Sequence, residues 1–313
     1  MTPVLAIGET LIDLIVDDAA RGLEAAETFV ARDGGAPANV AVALARLGVS
    51  SAFAGVVGDD PFGRRLRATL THEGVDTSRL RATTDAHTSL AFAWKDNQGD
   101  GHFQLLRLAD RLLSEEDVAG FGITELAGLV VGSVALAAEP SSQAIARAVE
   151  LAAAAGVPVT FDVNLRPTLW PDLQAARKAC LSIIERTTLL KLSLDDARYV
   201  FDVAADPMAA ITAAQRSAPS VVVLTDGSRG AWFVNEAGGV DHVPAFDVEA
   251  VEPTGAGDAF TAALVSRLLA REWAAPREAD LRYASAAGAL ATTKAGAMDG
   301  LPTAAQLRGF LEL

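Results

Sequence analysis

The chain has 313 residues, 50% of them hydrophobic, enough for a large buried core, and α/β domains of this size often form one unit. A formal net charge of −14 excludes a general nucleic-acid or membrane-surface binder, because either needs a basic patch to offset phosphate charge. The single cysteine, Cys180, excludes an intramolecular disulfide, and histidines at 72, 87, 102 and 242 give no metal-ligand spacing.

In chain order, Val4–Gly8 is an apolar run, and Thr10–Val16 reads as a strand that carries Asp13 among apolar neighbours. No basic segment precedes this stretch, and the longest apolar run, Leu126 to Ala138, has 13 residues, too short to span a bilayer. A cytoplasmic protein with no membrane partner is expected. Pro37–Leu47 is the first helical signal, with its proline where a missing N–H is harmless and Gly48 as its stop. Strand-like and helix-like runs then alternate: Ser51–Val57 before Pro61–His72, Leu126–Val131 before Pro140–Ala155, Val157–Val163 before Asp172–Glu185, and Leu189–Ser193 before further helix. Val221–Thr225 precedes a hairpin and two alanine-rich helices near 256–271 and 277–295. The alternation predicts parallel βαβ units, hence one α/β domain over 1–313 with a doubly wound, mostly parallel sheet flanked by helices. Thr88–Trp94 and His102–Leu108 break the rhythm around the turn-rich Lys95–Gly101 and predict a hairpin. Together, 10–16, 27–33 and 88–108 read as a small β-sheet lid, although an ordinary edge hairpin fits the same residues.

The strongest chemical signal is Pro253-Thr254-Gly255-Ala256-Gly257-Asp258-Ala259-Phe260 ahead of an apolar helical run. Gly255 and Gly257 let the backbone approach a ligand, and N–H groups at a helix start point at an anion. Asp258 falls in the first helical turn, where the dipole favours its ionised form, ready to accept a proton from a hydroxyl. Phosphoryl transfer needs these parts together. A glycine turn that merely caps a helix would look the same in isolation, but four further polar segments accompany this one. Asp33-Gly34-Gly35-Ala36-Pro37-Ala38-Asn39 is a second glycine turn into a helix, and Asp13 is costly in an apolar strand without a polar ligand. Asp162–Pro167 and Thr225–Gly230 place polar residues beyond strand C-termini, where open α/β sheets bind ligands.

With GGAPAN at 34–39 and TGAGDAF at 254–260 in this order, the chain resembles the ribokinase-like, or PfkB, family of carbohydrate kinases, from Gly8-Glu9 to Gly300-Leu301-Pro302. DVNLRPTLW at 162–170 and Arg107…Ala109-Asp110 are most similar to the bacterial fructokinases in it. The resemblance implies a sugar and ATP as substrates, with Asp258 as catalytic base and Gly255, Ala256 and Gly257 as an anion hole. It implies sugar contacts from Asp13, Gly34, Gly35 and Asn39, with Arg107 and Arg166 reaching the sugar or the transferring phosphate. Ser193, Asp196, Thr225, Gly227 and Gly230 would line the nucleotide and Mg²⁺ side. Glu252, Thr254, Ala291, Lys294, Gly296 and Gly300 fall where the family binds a monovalent cation such as K⁺.

The chain departs from the family pattern at three places. Glu252-Pro253 stands where the family has Asp-Thr, which predicts a weak response to K⁺. Ser193-Leu194-Asp195-Asp196 replaces Asn-x-x-Glu and predicts an altered metal dependence, and Asp226 replaces an apolar residue. The expected reaction is ATP with D-fructose. A 2-keto-3-deoxygluconate or aminoimidazole riboside kinase is an alternative, as is a weakly catalytic sugar sensor. A homodimer through the lid sheet is a further expectation. A nicotinamide site and a Walker NTPase are excluded, since neither Gly-x-Gly-x-x-Gly after the first strand nor Gly-x-x-x-x-Gly-Lys-Ser/Thr occurs.

Overall fold

A computed structural model describes residues 2–17, 22–96, 101–217 and 219–312. Its strands are β1 (Val4–Ile7), β2 (Leu11–Val16), β3 (Phe29–Gly34), β4 (Ser51–Gly58), β5 (Asp76–Thr83), β6 (Leu90–Lys95), β7 (Gly101–Leu106), β8 (Gly128–Gly132), β9 (Val159–Asp162), β10 (Leu189–Ser193), β11 (Val221–Thr225), β12 (Ala231–Val234) and β13 (Val240–Val243). A nine-stranded sheet has the order β13-β12-β11-β10-β9-β8-β1-β4-β5. From β11 to β5 every pairing is parallel, and β12 and β13 close one edge as an antiparallel hairpin. This is the doubly wound sheet that the alternation of elements predicts.

Helices cover both faces, which is why the central strands are continuous apolar runs rather than alternating ones. Leu5, Ile7, Leu129 and Val131 face one core with the helices Ser141–Ala154 and Leu173–Ile184. Val4, Ala6, Phe53 and Val130 face the other, with Ala36–Arg46, Ala256–Leu269 and Glu278–Thr292. Gly288 lets the last two helices close up, since a Cβ there would lie 3.2 Å from the Ala256 carbonyl.

The second sheet, β3-β2-β6-β7, stands over the carboxyl ends of the large sheet's strands and is mixed: β2 runs parallel to β6 and antiparallel to β3. Of the turn expected over Lys95–Gly101, residues 97–100 lie outside the described residues. The edge strand β5 escapes the sequence reading because it is polar. Arg79 bonds Asp76 and the Phe121 carbonyl, and Arg81 bonds Asp117 and the Leu112 carbonyl, so charged side chains guard the edge. Two short helices, Pro207–Gln215 and Ala304–Leu311, are likewise additions.

Candidate active site

The strand ends of the large sheet and the underside of the small sheet enclose a cleft of about 410 Å³. It opens beside β1 and β8, where successive connections leave β1 in opposite directions, the usual ligand position in such sheets. Glu9, Leu11 and Asp13 enter from the β1–β2 segment, Gly35, Ala36 and Asn39 from the second glycine turn, Phe103 and Leu105 from β7, and Val134 from beyond β8. Asn164, Arg166 and Lys191 come from the ends of β9 and β10, and Pro253, Thr254, Gly255, Gly257, Asp258 and Ala297 complete the wall.

Asp258 sits in the first turn of Ala256–Leu269, 7% exposed. Asn39 Nδ2, from the facing helix, donates to its Oδ2 at 2.7 Å and fixes the carboxylate's orientation. Burial pushes its pKa up to about 6, helped by the Asp162 carboxylate and opposed by Asn39, Lys191 and Arg166. Gly255, in the left-handed region at φ 82°, caps the helix, and a Cβ there would stand 2.6 Å from the Ala297 carbonyl. Gly257 and Asp258, whose first-turn amides have no intrahelical acceptor, line the cleft, while the Ala256 N–H is in a 3.2 Å turn bond to Pro253 O.

Opposite lie more carboxylates. Asp13 is 9% exposed, and burial together with the charges of Glu252 and Asp258 pushes its pKa up to about 7. Gly34 has no room for a Cβ because the Asp13 carboxylate occupies that space. Glu9 is 4% exposed, its pKa also raised to about 7, chiefly by burial. Glu9 Oε2 and Asn39 Oδ1 are buried and find no hydrogen-bond partner among the described residues. A ligand rich in hydroxyl donors would satisfy both. Arg166 is braced by Asn164, whose Oδ1 accepts from Nη1 at 2.7 Å.

Arg107 and the residues expected on the nucleotide side are outside this cleft wall. The Arg107 guanidinium is taken up by Asp110 at 2.6 Å, the Val134 carbonyl at 2.7 Å and Ser141 Oγ at 3.2 Å. Ser193 and Asp196 form a reciprocal cap on the helix Leu194–Phe201, and Asp196 also accepts from Leu165 N at 2.8 Å. Thr225 ends β11 opposite Ser193. Gly227 has open space where a Cβ would be, whereas Gly230 is required because the backbone at Val243 and Ala245 crowds it. Asp226, the departure beside the nucleotide-side strand, pairs with Arg229 at 2.7 Å.

Glu252, Ala291, Gly296 and Gly300 do converge. Glu252 Oε2 accepts from Gly296 N at 2.9 Å, and the carbonyls of Ala291 and Gly296 flank the space a Gly300 Cβ would fill. Such a carbonyl cradle fits a monovalent cation. Thr254 lies in the cleft wall and Lys294 is exposed.

Glu9 and Lys191 are cleft residues that the sequence reading passes over. Lys191 interrupts the apolar run Leu189–Ser193 just as Asp13 interrupts its own strand, so the same rule applied to both would have found it.

The family model for "pfkB family carbohydrate kinase" matches residues 1–304. A fructokinase-1 from Zea mays is 36% identical over 316 residues, covering 99% of this chain and 97% of that protein. A fructokinase from Klebsiella pneumoniae is 38% identical, covering 96% of both. Among solved structures, a double-mutant fructokinase from Vibrio cholerae O395 with fructose, ADP and potassium ion bound superposes with a TM-score of 0.86, at 32% identity over 99% of this chain and 98% of that one.

Proposed function

The chain belongs to the pfkB family of carbohydrate kinases, and from that premise we propose that it transfers the γ-phosphoryl group of ATP to a hydroxyl of D-fructose, giving fructose 6-phosphate. The observation that carries this reading is Asp258, buried at a helix N-terminus, oriented by Asn39 and facing acceptors that lack donors. The hydroxyl oxygen attacks the γ-phosphorus in line, its proton passes to Asp258, and ADP leaves. Gly257 and Asp258 amides receive the charge that develops on the phosphoryl oxygens.

A neutral polyol suits the acceptor side better than a sugar acid, because a substrate carboxylate would lie against Glu9 and Asp13 while Arg107 is already engaged. Fructokinase relatives agree with that choice. Among the described residues no group of three or more His, Cys, Asp or Glu could hold a metal ion. Mg²⁺ would therefore come coordinated by the triphosphate, where it neutralises phosphate charge. K⁺ would sit in the cradle of the Ala291 and Gly296 carbonyls beside Gly300, with Glu252 behind it. Ser193, Asp196, Thr225 and Gly227 act on the nucleotide side in this reading, the first two by capping the helix Leu194–Phe201, with Asp196 also holding the loop after β9. The small sheet acts as a lid, and its exposed Phe29 offers a surface on which two copies could pair.

The test is ADP release with Mg·ATP against fructose, ribose, glucose, 2-keto-3-deoxygluconate and an aminoimidazole riboside. Fructose is expected to be preferred, and Asp258→Asn to lower kcat by roughly two or more orders of magnitude while sugar still binds. Preference for another acceptor would discard fructose. Near-normal turnover in the variant would remove Asp258 from the chemistry.

A further inference from the structure

The cleft wall contains a buried ion pair that the proton transfer leaves unused. Lys191, in β10, is 5% exposed, and its Nζ contacts Asp162 Oδ1 at 3.0 Å and Oδ2 at 3.2 Å. Asp162 Oδ2 also accepts from Thr261 Oγ1 at 2.6 Å, so the pair is tied to the same helix that carries Asp258. An ammonium has three N–H donors and no acceptor. Asp162 takes two, which leaves the third for the cleft that Lys191 lines.

The place of that nitrogen matters. A Cβ on residue 257 would stand 3.1 Å from Lys191 Nζ, so the cation lies against the glycine whose amide belongs to the anion hole. Burial alone works against the charge, but the carboxylates of Asp162, Asp196 and Asp258 more than offset it and hold the lysine pKa above its usual value. A buried ion pair is poor evidence for a stabilising role, because apolar replacements of similar volume are often as stable. This one sits where charge accumulates during phosphoryl transfer.

We propose that Lys191 is a catalytic residue whose third N–H donates to an oxygen of the phosphoryl group in flight, with Asp162 and Thr261 as the positioning residues that aim it. This rests on the kinase reading above. In the step, the bond from the acceptor oxygen to the γ-phosphorus forms and the bond from that phosphorus to the bridging oxygen of ATP breaks. The acceptor proton goes to Asp258, and Lys191 keeps its own.

The experiment is steady-state kinetics on Lys191→Met and Lys191→Arg with Mg·ATP and fructose, alongside calorimetric titration of fructose. Lys191→Met is expected to lower kcat about 100-fold, the usual effect of losing one preorganised donor, while fructose affinity changes little. Lys191→Arg should restore part of the rate. Because Lys191→Met strands Asp162 without a counter-charge, the double variant Lys191→Met/Asp162→Asn keeps the test open if the single one does not fold. It should be slow as well. Thr261→Val, which leaves the ion pair intact, should lower kcat several-fold without moving fructose affinity. A folded Lys191→Met or double variant with kcat within about threefold of wild type would overturn the proposal and leave the kinase reading standing. No turnover by the wild-type protein on any sugar would overturn both.

Discussion

At the scale of the residue, the chemistry turns on how one carboxylate is kept basic yet buried. Asp258 is held by a single donor, Asn39, and burial raises its pKa to about 6. A base must be ionised to work, so kcat should rise with pH through about 6 and level off above it. The charged and polar groups facing Asp258 are Asp162 at the end of β9, Arg166 beyond it, Lys191 on β10, Asn39 on the helix Ala36–Arg46, and Glu9 and Asp13 from the β1–β2 segment. Removing the Asn39 donor removes an influence that lowers the pKa. Initial-rate profiles for Asn39→Leu should therefore show the acidic limb displaced to higher pH, and an unmoved limb would mean that the limb reports another group. The same burial sets function against stability. Between about pH 4 and 6 the folded state binds a proton that the unfolded state has released, so ionising Asp258 at neutral pH costs stability. Asp258→Asn should melt above wild type at pH 7, with the gap closing below about pH 4.

The chain crossings into the small sheet are tied in pairs, one pair at Asp110 and the other at Thr10. Ser89 precedes β6 and Arg107 follows β7; Asp110 joins them, accepting from Arg107 Nε at 2.6 Å and from Ser89 Oγ at 2.5 Å. Arg107 then fastens the crossing to the Val134 carbonyl and Ser141 of the main layer. Thr10 Oγ1 ties the other two crossings by donating to the Gly34 carbonyl at 3.2 Å. Arg107 thus reads as the lid's anchor. Arg107→Met leaves Asp110 charged and buried, so denaturant unfolding should show a loss of about 3–5 kcal/mol, the cost of breaking a buried pair. A variant of unchanged stability that no longer binds sugar would return Arg107 to the sugar site. The two cores meet the same logic from the other side: Gly288 admits the close helix pair that sets the position of the Asp258 turn.

Across the whole molecule, the carboxylates with raised pKa values line the cleft. Burial raises the pKa of Glu9 and Asp13 to about 7 and that of Asp258 to about 6. Stability should therefore fall as pH rises from about 5 to 8 in the ligand-free protein, because these groups lose protons that the fold prefers to keep. Asp60, Glu73, Asp76, Asp117 and Asp280 have lowered values, so their contribution is complete above the unfolded carboxylate range and is lost only as pH falls below it. Calorimetric melting at several pH values, with Glu9→Gln as the flatter comparison, checks this. A curve that rises from pH 5 to 8 would count against it. The sequence by itself determined the parallel sheet, because strands buried on both faces must be apolar throughout, and it determined the glycine turns, because only glycine fits a backbone at φ 82° pressed against the Ala297 carbonyl. It also marked Asp13 as a carboxylate in a costly place, and Asn39 and Asp258 as polar groups on the first turns that follow glycine turns. Only the tertiary structure decided which charges meet: Arg107 pairs with Asp110 and fastens to Val134 and Ser141, and Lys191 is closed in by Asp162, 29 residues earlier, and Thr261. Side-chain pairing between strand ends depends on sheet order and register, and neither is written in the spacing of residues along the chain.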